Sequence, residues 1–325
     1  MPMKQQFLPL IVSMVLCILL PGCSHQKNFF RRKLYFTNHQ VISASKYTNQ
    51  QVPTISVWIH GARPFGNNTY NLGLKSLTLF DPHNKLAETA NILVKADSIK
   101  FPLDNFYIFS WPGTMDFGVR QQEAITLHTE LLKLLNTYKM SHGIKPRVRI
   151  IAHSHGGNVA LNLAAVTNNM IEIDELILLA TPVQDKNKDY VRSPLFKRVF
   201  SLYSTIDIAQ IIDPQGIYHD SCTHSLFSGQ RFNPSQNLMQ IKTKINGTAC
   251  QHLQFDDRPM LTILPAIIDQ LHEWMDKLPQ QALLSENTRF MLSVYTNGRR
   301  PPQAKCYRTG GPHEHIELPI PSSYL

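Results

Sequence analysis

The run Arg149-Ile-Ile-Ala-His-Ser-His-Gly-Gly-Asn-Val-Ala-Leu161 changes character at its centre. Val148, Ile150, Ile151 and Ala152 are apolar and the first three of them β-branched, as in a buried strand. It stops at His153-Ser154-His155-Gly156-Gly157, and Val159, Leu161, Leu163 and Ala164 then suit a helix. Strand, sharp turn and helix follow one another with a serine at the apex. Such a turn lifts the Ser154 hydroxyl above the end of a sheet, where a base can reach it. Ala152 and Gly156 flank the serine by two residues on either side, where strand and helix backbones crowd together. The pattern is A-x-S-x-G, with alanine as the smallest replacement for the first glycine of G-x-S-x-G.

Similar strands recur on both sides. Thr54-Ile-Ser-Val-Trp-Ile-His60 is stopped by Gly61, and Asn105-Phe-Tyr-Ile-Phe-Ser-Trp111 is broken by Pro112-Gly113. Glu175 to Ala180, Arg198 to Tyr203 and Leu238 to Ile245 read the same way, whereas Leu34 to Phe36 and Val41 to Ser43 are weak strands. Helical patterns lie between them. Leu86 to Val94 is one, and Gly118 to Met140 is another, with Ala124, Leu127, Leu131, Leu134 and Tyr138 at helical spacing. Leu264, Ile267, Leu271, Trp274 and Leu278 mark a last core helix. Apolar strands alternating with helices imply an α/β fold, a mostly parallel central sheet covered on both faces. Residues 51–279 form that domain. Residues 280–325 depart from the pattern, with Phe290 to Tyr295, a turn signal at Asn297-Gly298 and a Pro-rich end. They read as an appended hairpin or tail.

The chain has 325 residues, 43% hydrophobic and 17% charged, enough for a sizeable core. Its net charge of +9 is scattered, apart from a cluster at Lys27, Arg31, Arg32 and Lys33. No nucleic-acid motif accompanies it, so attraction to an anionic membrane is the simpler reading. Lys4 precedes an apolar run, Phe7 to Leu20, that is shorter than a comfortable membrane span and has the form of an export signal. It ends in Leu20-Pro21-Gly22-Cys23, which resembles the lipobox of bacterial lipoproteins. That resemblance implies a signal peptide over 1–22, acylation of Cys23 and a tether over 23–50. Ser24 after the cysteine favours the outer over the inner membrane. The alternative is an ordinary signal and a periplasmic or secreted protein.

With this order of elements the chain resembles the α/β-hydrolases, close to bacterial lipases and serine esterases, over Thr54 to Leu278. Ile59-His60-Gly61, Phe109 to Gly113 and Ile151 to Gly157 carry the likeness. The family order is nucleophile, acid, base. It implies Ser154 as nucleophile, Asp207 after the strand ending at Tyr203 as acid, and His252 after the last sheet strand as base. Asp213 and Asp185 are alternative acids. His219, His224, His313 and His315 are other histidines of the late chain. His153 reads as packing, and His60 as a structural hydrogen-bonder. The oxyanion donors expected are the backbone N–H groups of His155 and Ala62, with Gly61 allowing close approach.

The implied activity is hydrolysis of a carboxylic ester, from a small molecule or lipid, through an acyl-enzyme. A thioesterase, amidase or acyltransferase could use the same triad, and a surface lipoprotein could keep the fold without catalysis. No metal or organic cofactor is implied. Five cysteines are present, and Cys222–Cys250, both in the late loops, is the preferred disulfide. Asp185 to Ser193 and Gln215 to Asn237 are lid segments to consider.

Overall fold

Most of the central strands are largely apolar because both faces of the sheet are covered. In order, β1 is Thr54–Ile59, β2 Gly73–Ser76, β3 Phe106–Ser110, β4 Arg147–His153, β5 Glu175–Leu179 and β6 Val199–Tyr203. They are followed by β7 Leu238–Ile245, β8 Thr248–Ala249, β9 Arg289–Tyr295, β10 Gln303–Thr309 and β11 Glu314–Glu317. The helices are α1 Lys85–Ala96, α2 Phe117–His142, α3 His155–Val166, α4 Arg258–Lys277 and α5 Gln280–Leu284. This computed structural model describes residues 52–63, 72–81, 83–166, 170–207, 210, 228–285, 289–296, 302–309 and 314–318. All of them fall within one unit, Ser45–Leu325. The signal run, Cys23, the tether and the two weak early strands lie outside the described residues.

The described strands form one sheet in the order β11-β10-β9-β7-β6-β5-β4-β1-β3-β2, with β8 paired to β7. From β3 through β1, β4, β5, β6 and β7 to β9, every neighbouring pair is parallel. β2 joins β3 antiparallel at one edge, and β9, β10 and β11 run antiparallel at the other. The chain is thus a mixed α/β protein with a mostly parallel central sheet, an α/β-hydrolase-like fold.

Strand alternation splits the core into two layers. Ile55, Val57 and Ile59 of β1 face α2 and α3, together with Leu127, Leu131, Val159 and Leu163. Trp58 faces the opposite layer, with Leu86 and Leu93 of α1 and Ile263, Ile267 and Leu271 of α4. β5 divides the same way, Leu176 and Leu178 to one side, Ile177 and Leu179 to the other.

Caps set the helix ends. Asp116 accepts a hydrogen bond from the Val119 N–H at 3.0 Å and starts α2. Gly143, at φ +73°, ends it in the left-handed conformation that glycine tolerates. α4 begins at Arg258, well before the apolar stripe at Leu264, and tolerates Pro265 in its interior. That proline leaves a helix carbonyl unpaired by the ladder. The carbonyl of Pro265 itself accepts from Lys100 Nζ at 2.7 Å.

The C-terminal residues form the expected hairpin, β9 antiparallel to β10, and join it to the main sheet. β9 pairs parallel with β7, so the segment lengthens the main sheet. Phe290, Leu292, Val294 and Cys306 belong to the same core layer as α4. Among the described residues, no helix is long and apolar enough to cross a membrane.

Candidate active site

The parallel strands all present their C-terminal ends at one edge of the sheet, the usual place for ligands in such folds. The expected residues come together there. Ser154 follows β4 directly and has φ +52°, a conformation rare for a residue with a Cβ. Its N–H donates to the Leu179 carbonyl at the end of β5 at 2.8 Å, and its carbonyl accepts from Gly157 N–H at 2.9 Å. The strained turn is held from both sides.

The flanking glycines are required by contact. A Cβ on Gly156 would lie 2.5 Å from the His60 carbonyl oxygen and 2.7 Å from that of Ile59. The start of α3 thus rests directly on the end of β1. A Cβ on Gly61 would lie 2.9 Å from Ser154 Cβ, so the loop after β1 touches the nucleophile turn. Ala62 follows in that loop, and Arg63 N–H pins it by donating to the Gly113 carbonyl at 2.7 Å. His155 is the first residue of α3, where backbone N–H groups and the helix dipole favour negative charge.

His252 sits in a short helical turn, His252–Phe255, after β8. Its Nε2 lies 2.8 Å from Ser154 Oγ, and its Nδ1 lies 2.8 Å from Asp207 Oδ2. Asp207 is 1% exposed, and its other oxygen accepts from Gln210 N–H at 3.1 Å. Gln210 is anchored in turn by donating to the Thr181 carbonyl at 2.9 Å. This array can pass a proton from a hydroxyl to an imidazole whose other N–H faces a carboxylate.

A tight hairpin delivers His252. β7 turns through Asn246 (φ +51°) and Gly247 (φ +79°) into β8, and Lys244 pairs with Ala249. Asn246 is tied to the C-terminal strand, since its N–H donates to the Val294 carbonyl and its Oδ1 accepts from Thr296 N–H, both at 2.8 Å. The Asn-Gly pair is a legible hairpin signal that the sequence reading passed over.

The other histidines and acids are placed differently. Trp111 N–H donates to His60 Nε2 at 3.3 Å, which leaves Nδ1 to donate to the Gly61 carbonyl at 2.7 Å. Burial, then the Arg63 charge, lowers its pKa to about 3, so His60 is a neutral strut under the loop. His155 Nδ1 faces Asn158 Nδ2 at 3.3 Å. Asp185 pairs with Lys188 at 3.0 Å. Its segment, expected as a lid, is packed down: Val191 is buried, and Asn187 donates to Asn158 Oδ1 at 2.9 Å. Asp213, His219, His224, His313 and most of the second lid segment lie outside the described residues, while His315 is on β11.

Cys250 carries a free, buried thiol whose pKa is raised by burial and then by the Asp207 and Asp257 charges. Cys222, its expected disulfide partner, lies outside the described residues. Among the described residues, no group of three or more His, Cys, Asp or Glu side chains could hold a metal ion.

Four residues near Ser154, His252 and Asp207 carried no sequence signal. Asp256 lies 3.4 Å from His153 through Oδ2 and Nδ1. Arg63 contributes positive charge beside it. Ile206 and Leu253, next in sequence to Asp207 and His252, are 56% and 69% exposed.

No curated protein matches this chain. The PGAP1-like alpha/beta domain matches residues 115–212, less than a third of the chain. The match runs from α2 through Ser154 to beyond Asp207, and this likeness supports placing the fold in the α/β-hydrolase superfamily.

Proposed function

We propose that the protein is a serine hydrolase that cleaves carboxylic esters through an acyl-enzyme on Ser154. One observation carries this reading: Asp207, His252 and Ser154 form a continuous hydrogen-bonded relay, 2.8 Å at each step. His252 Nε2 takes the Ser154 hydroxyl proton as Oγ attacks the ester carbonyl carbon. The carbonyl oxygen becomes an oxyanion and meets the N–H groups of Ala62 and His155. Collapse breaks the bond to the alkoxy group, which leaves as an alcohol with the proton from His252. Water then gives a proton to His252 and attacks the acyl carbon. The acid departs, and Ser154 recovers its hydroxyl proton. Asp207 holds Nδ1–H throughout and stabilises the transient imidazolium.

Ile206 and Leu253 support an apolar acyl group, because they are exposed hydrocarbon next in sequence to Asp207 and His252. Phe7 to Leu20 and Cys23 support an exported protein anchored by lipid at the cell envelope, with the outer membrane favoured. A fluorophosphonate probe tests the nucleophile. Purified protein should be labelled, and Ser154→Ala should not. Labelling that survives the substitution would sink the assignment.

A further inference from the structure

His153 and Asp256 stand outside the relay yet touch its parts. His153 is 4% exposed and ends β4, one residue before Ser154. Its Nε2 lies 3.2 Å from the His252 backbone carbonyl, and its Nδ1 lies 3.4 Å from Asp256 Oδ2. Both oxygens belong to one short segment, the turn that carries the base and the residue after it. A Cβ on Gly61 would fall 3.1 Å from His153 Nδ1, so the loop after β1 packs on the same ring. The His153 and His252 rings lie 5.0 Å apart, tilted by 42°.

A neutral imidazole has one N–H, and here two oxygens face its two nitrogens. Both contacts become hydrogen bonds only when His153 and Asp256 together hold one extra proton. The surroundings say where it sits. Around the pair are His60 and Arg63 from the end of β1, His155 of α3, His252, Asp257 at the start of α4, and Asp207. Burial, then the His252 charge, lowers the His153 pKa to about 3, so the ring stays neutral. Burial raises the Asp256 carboxyl to about 6, against the pull of His252 and Arg63. Below about pH 6, burial thus favours a neutral Asp256 carboxyl over a charged His153 ring. In that state Asp256 O–H donates to Nδ1 while Nε2–H donates to the His252 carbonyl.

We propose that His153 and Asp256 are positioning residues: sharing one proton, they brace the His252 segment against the end of β4 and make the placement of the base depend on pH. This rests on His252 being the base. When Asp256 ionises, the single N–H of His153 can serve only one of the two oxygens, and the brace loses a bond.

Asp256→Asn supplies an N–H donor that does not titrate, and Asp256→Ala supplies none. With a p-nitrophenyl ester, Asp256→Ala should lose about tenfold in kcat at about pH 5.5, with KM little changed, as for one lost hydrogen bond. Asp256→Asn should match wild type there and exceed it several-fold at about pH 8, the ratio rising through about pH 6. Melting temperatures give a readout free of activity. A carboxyl whose folded pKa is raised stabilises fully below its unfolded pKa and loses that contribution as pH rises through the folded value. The melting temperature of Asp256→Asn relative to wild type should therefore climb between about pH 4 and pH 6, then level off. Parallel pH profiles for Asn variant and wild type, in melting or in kcat, would overturn the brace, as would an unimpaired Asp256→Ala. A wild type without turnover would defeat the hydrolase reading alone, and the melting curves would then decide the brace.

Discussion

Asp207→Asn is the sharpest perturbation of the relay, because it changes charge and proton count but almost no volume. Asp207 is buried, with Oδ2 2.8 Å from His252 Nδ1 and Oδ1 accepting from Gln210 N–H at 3.1 Å. The amide of Asn can keep the Gln210 bond with its oxygen. Its NH2 group then faces His252 Nδ1, a donor against a donor. His252 escapes by moving its proton to Nε2, and that nitrogen can no longer accept from Ser154. The transition state also loses its counter-ion. Charge centres about 4 Å apart interact by about 4 kcal/mol at an effective dielectric near 20. That corresponds to about a thousandfold in rate, and the wrong tautomer adds to it. Steady-state kinetics with a p-nitrophenyl ester should show kcat reduced by about 10³ to 10⁴, with KM changed far less. Circular dichroism melting would check that the variant is folded. A folded Asp207→Asn protein with kcat within about tenfold of wild type would refute this reasoning and remove Asp207 from the relay.

Two further predictions concern stability and location. At the opposite end of the sheet, Glu175 contacts both Arg149 and His272, and both Glu175 and Arg149 are buried. Burial raises the Glu175 pKa, but hydrogen bonds and charge from His272 and Arg149 outweigh it and hold the carboxyl at about 2. Glu175→Gln leaves Arg149 without its buried counter-charge and should cost about 3 kcal/mol in urea unfolding at neutral pH. A depressed pKa stabilises above the unfolded value near 4.5 and is lost as pH falls toward 2, so the gap to wild type should narrow over that window; a gap independent of pH would count against the ion pair. For Cys23, metabolic labelling with a palmitate analogue should mark wild type in a bacterial host and vanish in Cys23→Ala, whereas an unlabelled wild type would refute acylation at Cys23.

The strands that position the site were legible because parallel strands buried on both faces carry continuous apolar runs. β1, β3, β5 and β6 read this way, β4 does so apart from Arg147 and Arg149, and β7 instead alternates buried and half-buried positions from Met239 to Ile245. β2 did not, because Gly-Leu-Lys-Ser has no alternation and its place comes from pairing with β3. β10 was hidden behind Pro301-Pro302 and a polar sequence, Gln303 to Thr309, whose buried positions come from β9. The C-terminal hairpin was legible, but its attachment to the main sheet was not, because parallel pairing of β9 with β7 is a long-range contact with no local signature.

The turn that carries Ser154 is a local matter, and the sequence by itself determined it. A strand, a sharp turn and a helix are encoded within a dozen residues around Ser154, whereas the glycine at 156 is required by the carbonyls at the distant end of β1. The sequence also set the order of acid and base. Which of 14 histidines reaches the serine was decided by tertiary structure, because Ser154 and His252 are 98 residues apart and meet only where parallel strands share an edge. The same holds for His153, which read as packing. Its neutral state and its contact with Asp256 come from burial and from a turn far along the chain, and proton affinity is a property of that packed environment rather than of the residue alone.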